Sequence, residues 1–140
     1  MTDYATSWTF GEHRGPISTQ IEVEYAGTIT KGQPLQVSGN NDDGQVKVVA
    51  QSGASPVFAF ALYDGTTGDV NPALKCGVIK GTVNGARSAG ANLAIKAGKA
   101  EPRASDTSQI CVTLLQTTTG NGDHTALLLV ECIPGKASAA

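Results

Sequence analysis

Glycine is spread along this chain so evenly that it decides most of what the chain can become. Seventeen glycines and six prolines interrupt nearly every stretch between the two ends, and few windows hold the 3.6-residue apolar period of an amphipathic helix. The pieces between the interruptions have strand length. Ile21–Tyr25 alternates apolar and charged residues, as a strand with one wet face does. Pro34–Val37 and Gln45–Val49 are short and alternating, and Asn40–Gly44 between them is a turn sequence whose Asn, Asp and Gly tolerate left-handed backbone angles. Val57–Leu62 is an unbroken apolar run, which predicts a strand covered on both faces. Leu74–Val83 reads as a further strand that can bend at Gly77 and Gly81. Ala91–Ile95, Gln109–Thr117 and Thr125–Ile133 complete the set, with Ala97–Ala100 as a turn and Thr118–Asp123 as a Gly-rich loop. The expected fold class is all-β.

The order of these pieces repeats. Lys31–Val37 can be laid on Ala89–Ile95, so that Gly32 matches Gly90, Leu35 matches Leu93 and Val37 matches Ile95, an offset of 58 residues (90 minus 32). In both places a turn, an apolar strand, a Thr/Gly/Asp loop and a closing apolar strand follow. A small sheet of this size cannot bury its apolar face alone, so two such units are expected to pack into one small barrel or sandwich of β-tulip type. The expected organisation is an extended N-terminal arm over 1–20, a β domain over 21–134 with similar halves at about 27–83 and 86–133, and a tail over 135–140. The arm holds the only tryptophan, Trp8, beside Tyr4, Phe10, His13 and Arg14, in no periodic pattern. Exposed aromatics of this kind are typical interface anchors, so the arm reads as a docking segment or as a leader.

Composition narrows the function. Apolar residues make up 40% of the chain, enough for a core in one domain. Charged residues make up only 16%, against about 25% in an average domain, which suits a surface that lies against partners or an extracellular β protein. Net charge is −2 and the basic residues do not cluster; Lys96, Lys99 and Arg103 are the nearest approach to a patch. Nucleic-acid binding is therefore not expected. No apolar run approaches the ~20 residues of a membrane helix, and the first residues lack the basic-then-apolar pattern of a signal peptide. Cys76, Cys111 and Cys132 are widely spaced among apolar neighbours. They read as small buried hydrophobes, with one disulfide plus a free thiol as the alternative.

No residue constellation announces catalysis. His13 and His124 are the only histidines, and neither joins cysteines at zinc spacing. No serine sits in a nucleophile elbow. A Cys111–His124 pair, a calcium loop at Asn40–Gly44 or Asp64–Asp69, and a carboxylate pair at Glu22 and Glu24 are each open on sequence. Each has a plainer reading: a buried thiol, tight turns and a solvated strand face. The expectation is a protein that is not an enzyme and carries no metal or cofactor.

The segments Gly32–Val37, Gly44–Val49 and Val57–Gly65, and in the second half Gly90–Ile95, Gly98–Ala100 and Gly122–Val130, resemble the lambda-like head-decoration, or capsid-cement, proteins of bacteriophages over residues 27 to 133. The resemblance implies a virion protein on the capsid exterior. It would be made in the host cytoplasm, homotrimeric, bound to the major capsid protein, and would stabilise the expanded head. It also implies an arm that docks on the capsid protein, adding a strand to it. Tyr4, Trp8, Phe10, Arg14, Ile17, Ile21, Val23 and Tyr25 are the residues of this sequence expected to make that contact. The alternatives are another phage or surface structural domain (tail tube, spike or adhesin) and a ligand-binding β-barrel.

Overall fold

The computed structural model describes residues 13–39, 41, 44–102 and 110–132, with side chains from residue 19 onward, Ile110 excepted. The described residues form nine strands and no helix: β1 (His13–Tyr25), β2 (Pro34–Val37), β3 (Lys47–Ala50), β4 (Ala59–Ala61), β5 (Val70–Asn84), β6 (Asn92–Lys96), β7 (Lys99–Glu101), β8 (Ile110–Leu114) and β9 (Asp123–Glu131). The all-β class holds.

The strands close into two rings that share β5. In the first, β1 pairs parallel with β3, β3 antiparallel with β2, β2 with β4, β4 with β5, and β5 antiparallel with β1 again. In the second, β5 pairs parallel with β7, β7 antiparallel with β6, β6 with β8, β8 with β9, and β9 antiparallel with β5. Ring closure leaves each strand paired and removes long free edges, the main liability of a small sheet.

The hydrogen bonds repeat with the pairings. Gly32 N–H donates to Ala61 O at 2.8 Å, Ala61 N–H to Gln33 O at 2.9 Å and Gln33 N–H to Thr30 O at 3.1 Å. Gly90 to Leu114, Leu114 to Ala91 and Ala91 to Ser88 make the same three bonds at 2.7, 2.9 and 3.1 Å. Gly32 and Gly90 have φ of 89° and 94°, a backbone region where a Cβ is strained. The isolated bridges Ile29–Gly65 and Arg87–Thr118 also correspond. The two rings differ chiefly in the hairpin after their second strand. The first ring spends Ser38–Val46 there, while the second closes β6 to β7 with only Ala97 and Gly98 between paired Lys96 and Lys99. Both turn residues have positive φ, 51° and 82°, as a tight type I′ turn requires.

Each ring fills its interior from alternate strand positions. Val23, Tyr25, Ile29, Leu35, Val48, Ala59, Ala61 and Ala73 form the first core. Phe60, Leu74, Ile79, Val83, Leu93, Ile95, Leu114, Leu128 and Val130 lead the second. Burying each large side chain contributes about 1.5–3 kcal/mol. Ala59, Phe60 and Ala61 are all buried; they sit where the two cores adjoin, so the run lacks a wet face.

Two element boundaries differ from expectation. β1 begins at His13, so residues 13–20 belong to a strand and not to an arm outside the sheet. Gly15 and Pro16 break the alternation there, which left the sequence pattern silent. The β5 partner supplies the order: Arg14 pairs with Val78 and Thr19 with Cys76, so Gly15–Ser18 face the single residue Gly77. Gly77 has φ of 145°, and the irregularity falls where β5 passes from one ring to the next. β7 falls where the sequence predicts a turn over Ala97–Ala100; three residues carry too little pattern to show a strand. Residues 1–12 and 133–140, with the expected tail, lie outside the described residues.

Candidate functional site

The rings meet along β5 and at one polar clasp. Gln51 is 8% exposed, and its side chain reaches from the first ring into the second. Its Nε2 donates to Ser55 O at 2.8 Å and Ile95 O at 2.9 Å, and its Oε1 accepts from Gly98 N–H at 3.1 Å. Ala97 N–H donates to Gly53 O at 2.8 Å beside it. A buried amide satisfied on both ends fixes geometry as well as stability. Over this clasp lies an open cleft of about 350 Å³, lined by residues of both rings that include Thr30, Gln33, Gln51, Thr82, Lys99 and Asp123. Lys99 Nζ and Asp123 Oδ2 pair at 2.9 Å on its rim, with both side chains more than 40% exposed. Such a pair contributes little to stability. The cleft presents hydroxyl groups and compensated charge beside apolar Pro34, Ala50 and Ala97, a mixed surface.

A second polar group lies on β5. Lys75 Nζ donates to Phe58 O at 2.6 Å and sits 4.1 Å from the centre of the Phe58 ring. Burial holds its ammonium below the usual lysine range. Tyr25 is fully buried; its hydroxyl donates to Tyr63 O at 2.7 Å. Burial pushes that phenol up, against the lowering effect of its hydrogen bonds to Asn71 and Tyr63.

Of the residues expected to touch a capsid, Tyr4, Trp8 and Phe10 lie outside the described residues. Arg14 and Ile17 stand on β1, where their backbone belongs to the sheet. Ile21 packs half-buried against the first core. Val23 and Tyr25 are fully buried in that core and have no surface to offer a partner. The alternation that marked this strand had identified the core face, with Glu22 and Glu24 on the other. β1 is also already paired at Glu24 and Tyr25, with β3 on one side and β5 or its loop on the other, so these positions cannot add a strand to another chain. Among the described residues the exposed large apolar ones are Val37, Tyr63, Val70 and Leu115. Tyr63 and Val70 flank the Asp64–Asp69 loop. The sequence signal that could have found Tyr63 is its position directly after the Val57–Leu62 run.

The chemical candidates separate. His124 Nε2 lies 3.0 Å from Gly120 O near the start of β9, whereas Cys111 neighbours the other end of that strand. Seven residues of strand, about 23 Å, divide those ends, so the Cys111–His124 pair does not form. All three cysteines are free thiols. Asp64 Oδ1 accepts from Lys31 N–H and Asp69 Oδ2 from Thr66 N–H, each at 2.8 Å; the first carboxylate ties the loop to the turn before β2 and the second closes the loop on itself. Among the described residues no group of three or more His, Cys, Asp or Glu is placed to hold a metal ion.

No family model matches the chain, and no curated protein matches it. Among solved structures, the chain is similar to the N base of the head fibre gp8.5 of bacteriophage phi29. The TM-score is 0.60 at 12% identity, over 83% of this chain and 96% of that one. At that identity the likeness is one of fold.

Proposed function

We propose that this chain is a structural protein of a bacteriophage particle, carried on the outside of the head and working by adhesion. The observation that carries the reading is the fold match to a phage head-fibre base over nearly all of that base. The sparse charge of the sequence and the mixed cleft between the rings support it. A surface of this kind binds by complementarity over area, with many small polar contacts and few desolvated charges. In the fuller form of the proposal, the protein is a homotrimer that clamps the major capsid protein, stabilises the expanded head and performs no chemistry. Trimeric linkage multiplies a weak contact through effective concentration.

A second reading is that the chain mounts a projecting fibre, favoured by the neighbour's being a fibre base. One experiment tests both. Purified protein is mixed with expanded heads of the phage that encodes it, and co-sedimentation is measured alongside its solution mass. Saturation at a copy number set by the head lattice, with heads made more heat-resistant, supports the clamp. A few copies per head with unchanged heat resistance supports the mount. Absence of binding contradicts both. The arm is tested by deleting residues 2–12, which stops short of β1; the truncated protein is expected to fold and to lose head binding.

A further inference from the structure

Two of the three cysteines, distant in sequence, come together where β8 and β9 run side by side. On β5 Cys76 pairs with Glu131, the residue before Cys132, so its side chain lies on the opposite face of the sheet from Cys132. The Cys132 amide donates to Lys75 O at 2.8 Å. On β8, Val112 pairs with Val130. β8 carries one extra residue at this level: Leu93 pairs with Val112 but Ala94 with Ile110, which leaves Cys111 as the bulged residue. A bulge re-aims the side chain it carries. Cys111 and Val112, consecutive on one strand, are accordingly both buried in the second core, at 1% and 3% exposure, with Cys132 in the same cluster at 2%. The Cys111 and Cys132 thiols neighbour one another in that cluster. Cys76 is half-buried and the most accessible of the three.

We infer that Cys111 and Cys132 are a redox staple: adjacent thiols that a disulfide can join across β8 and β9. The oxidant is a low-molecular-weight disulfide. The Cys132 thiolate attacks it, forming a mixed disulfide and releasing one small thiolate. Cys111 then attacks the Cys132 sulfur and releases the second. In sum, two protein thiols lose two electrons and two protons, and one small disulfide becomes two small thiols. The neighbouring Cys111 thiol and burial push the Cys132 thiol far above the usual range, so its thiolate is scarce and the staple closes slowly near neutrality. A chain made under reducing conditions keeps the thiols; one moved to an oxidising medium gains a bond that ties the last strand into its ring. This depends on the fold alone and stands whether or not the protein decorates a head.

The test incubates the folded full-length chain with oxidised glutathione at mildly alkaline pH, then counts thiols after unfolding in acid. Cleavage at acidic residues separates Cys111 from Cys132, since Asp123 and Glu131 lie between them. The expected result is a fall from three thiols to one, a Cys111–Cys132 linkage, and a higher unfolding midpoint that reductant reverses. Cys76→Ser should form the same bond at a similar rate, and Cys111→Ser should form no such bond. Persistence of three thiols, a bond only between Cys76 residues of two chains, or loss of the bond in Cys76→Ser overturns the staple.

Discussion

The Tyr25 ring occupies the space above Gly65: a Cβ added to Gly65 would lie 2.7 Å from ring carbons Cδ2 and Cε2 and 2.9 Å from Asp69 Oδ2. The matching positions of the second ring are Val83 and Thr118, since Tyr25 pairs with Val48 as Val83 pairs with Ala100, and Ile29 bridges Gly65 as Arg87 bridges Thr118. The Thr118 hydroxyl donates to Gly85 O at 2.7 Å and accepts from Arg87 N–H at 2.9 Å. One ring pairs a large residue with none; the other pairs two of middle size.

That exchange of volume makes a double-mutant cycle informative. Gly65→Thr alone should destabilise by about 1–3 kcal/mol through overpacking, and Tyr25→Val alone by about 2–4 kcal/mol through the cavity it leaves. The double variant, which copies the second ring, should be more stable than the sum of the two predicts, by about 0.5–3 kcal/mol. Urea unfolding of the four proteins measures it. Additive costs would mean that the two sites do not share space.

The repeated glycines should behave alike. Gly32→Ala and Gly90→Ala each force a Cβ into a backbone region near φ of 90°, at a cost of about 1 kcal/mol or more. Equal losses in chemical unfolding are expected, because both amides make the same bond. A loss in one position alone would mean that the halves are not energetically equivalent.

Gln51 should matter more than any surface charge. Gln51→Leu removes three hydrogen bonds and leaves Ile95 O and Gly98 N–H without this partner, at about 1–3 kcal/mol. Lys99→Ala, which removes an exposed ion pair, should cost no more than about 1 kcal/mol. Thermal or urea unfolding of both variants ranks them, and the reverse order would contradict the clasp.

Tyr25 sets an alkaline limit. Its folded-state pKa is raised by burial, so the folded chain holds the phenol proton after the unfolded chain has released it. The stabilisation is complete below about pH 10 and declines as pH rises through the folded-state value. Tyr25→Phe is less stable than wild type near neutrality, having lost the bond to Tyr63 O. The gap should narrow above about pH 10. Unfolding midpoints near pH 8 and about pH 11 test it; a gap that widens contradicts the sign.

What the sequence made legible followed from local pattern. Val57–Leu62 announced a strand without a wet face, and Gly32 and Gly90 announced matching turns. Ring closure was not legible, because it rests on pairings between β1 and β3 or β5 and β7 that no local signal encodes. The alternation in Ile21–Tyr25 marked both the strand and its wet face; the expectation of a capsid contact at Val23 and Tyr25 followed the resemblance and not that pattern. Gln51 carried no signal: a lone glutamine among Gly, Ser and Ala looks like loop until the second ring folds over it. The approach of Cys111 to Cys132 depends on a bulge in β8, which exists only in register with β6.

The proposed role is adhesion of a double-ringed β body to the outside of a phage head. Cryo-electron microscopy of particles of the encoding phage tests this most directly, at a resolution that separates strands. The expected density is two fused β rings seated on the outer face of the head shell, with residues before His13 running onto the capsid protein. Density of this shape in the tail, or heads complete without it, would contradict the account.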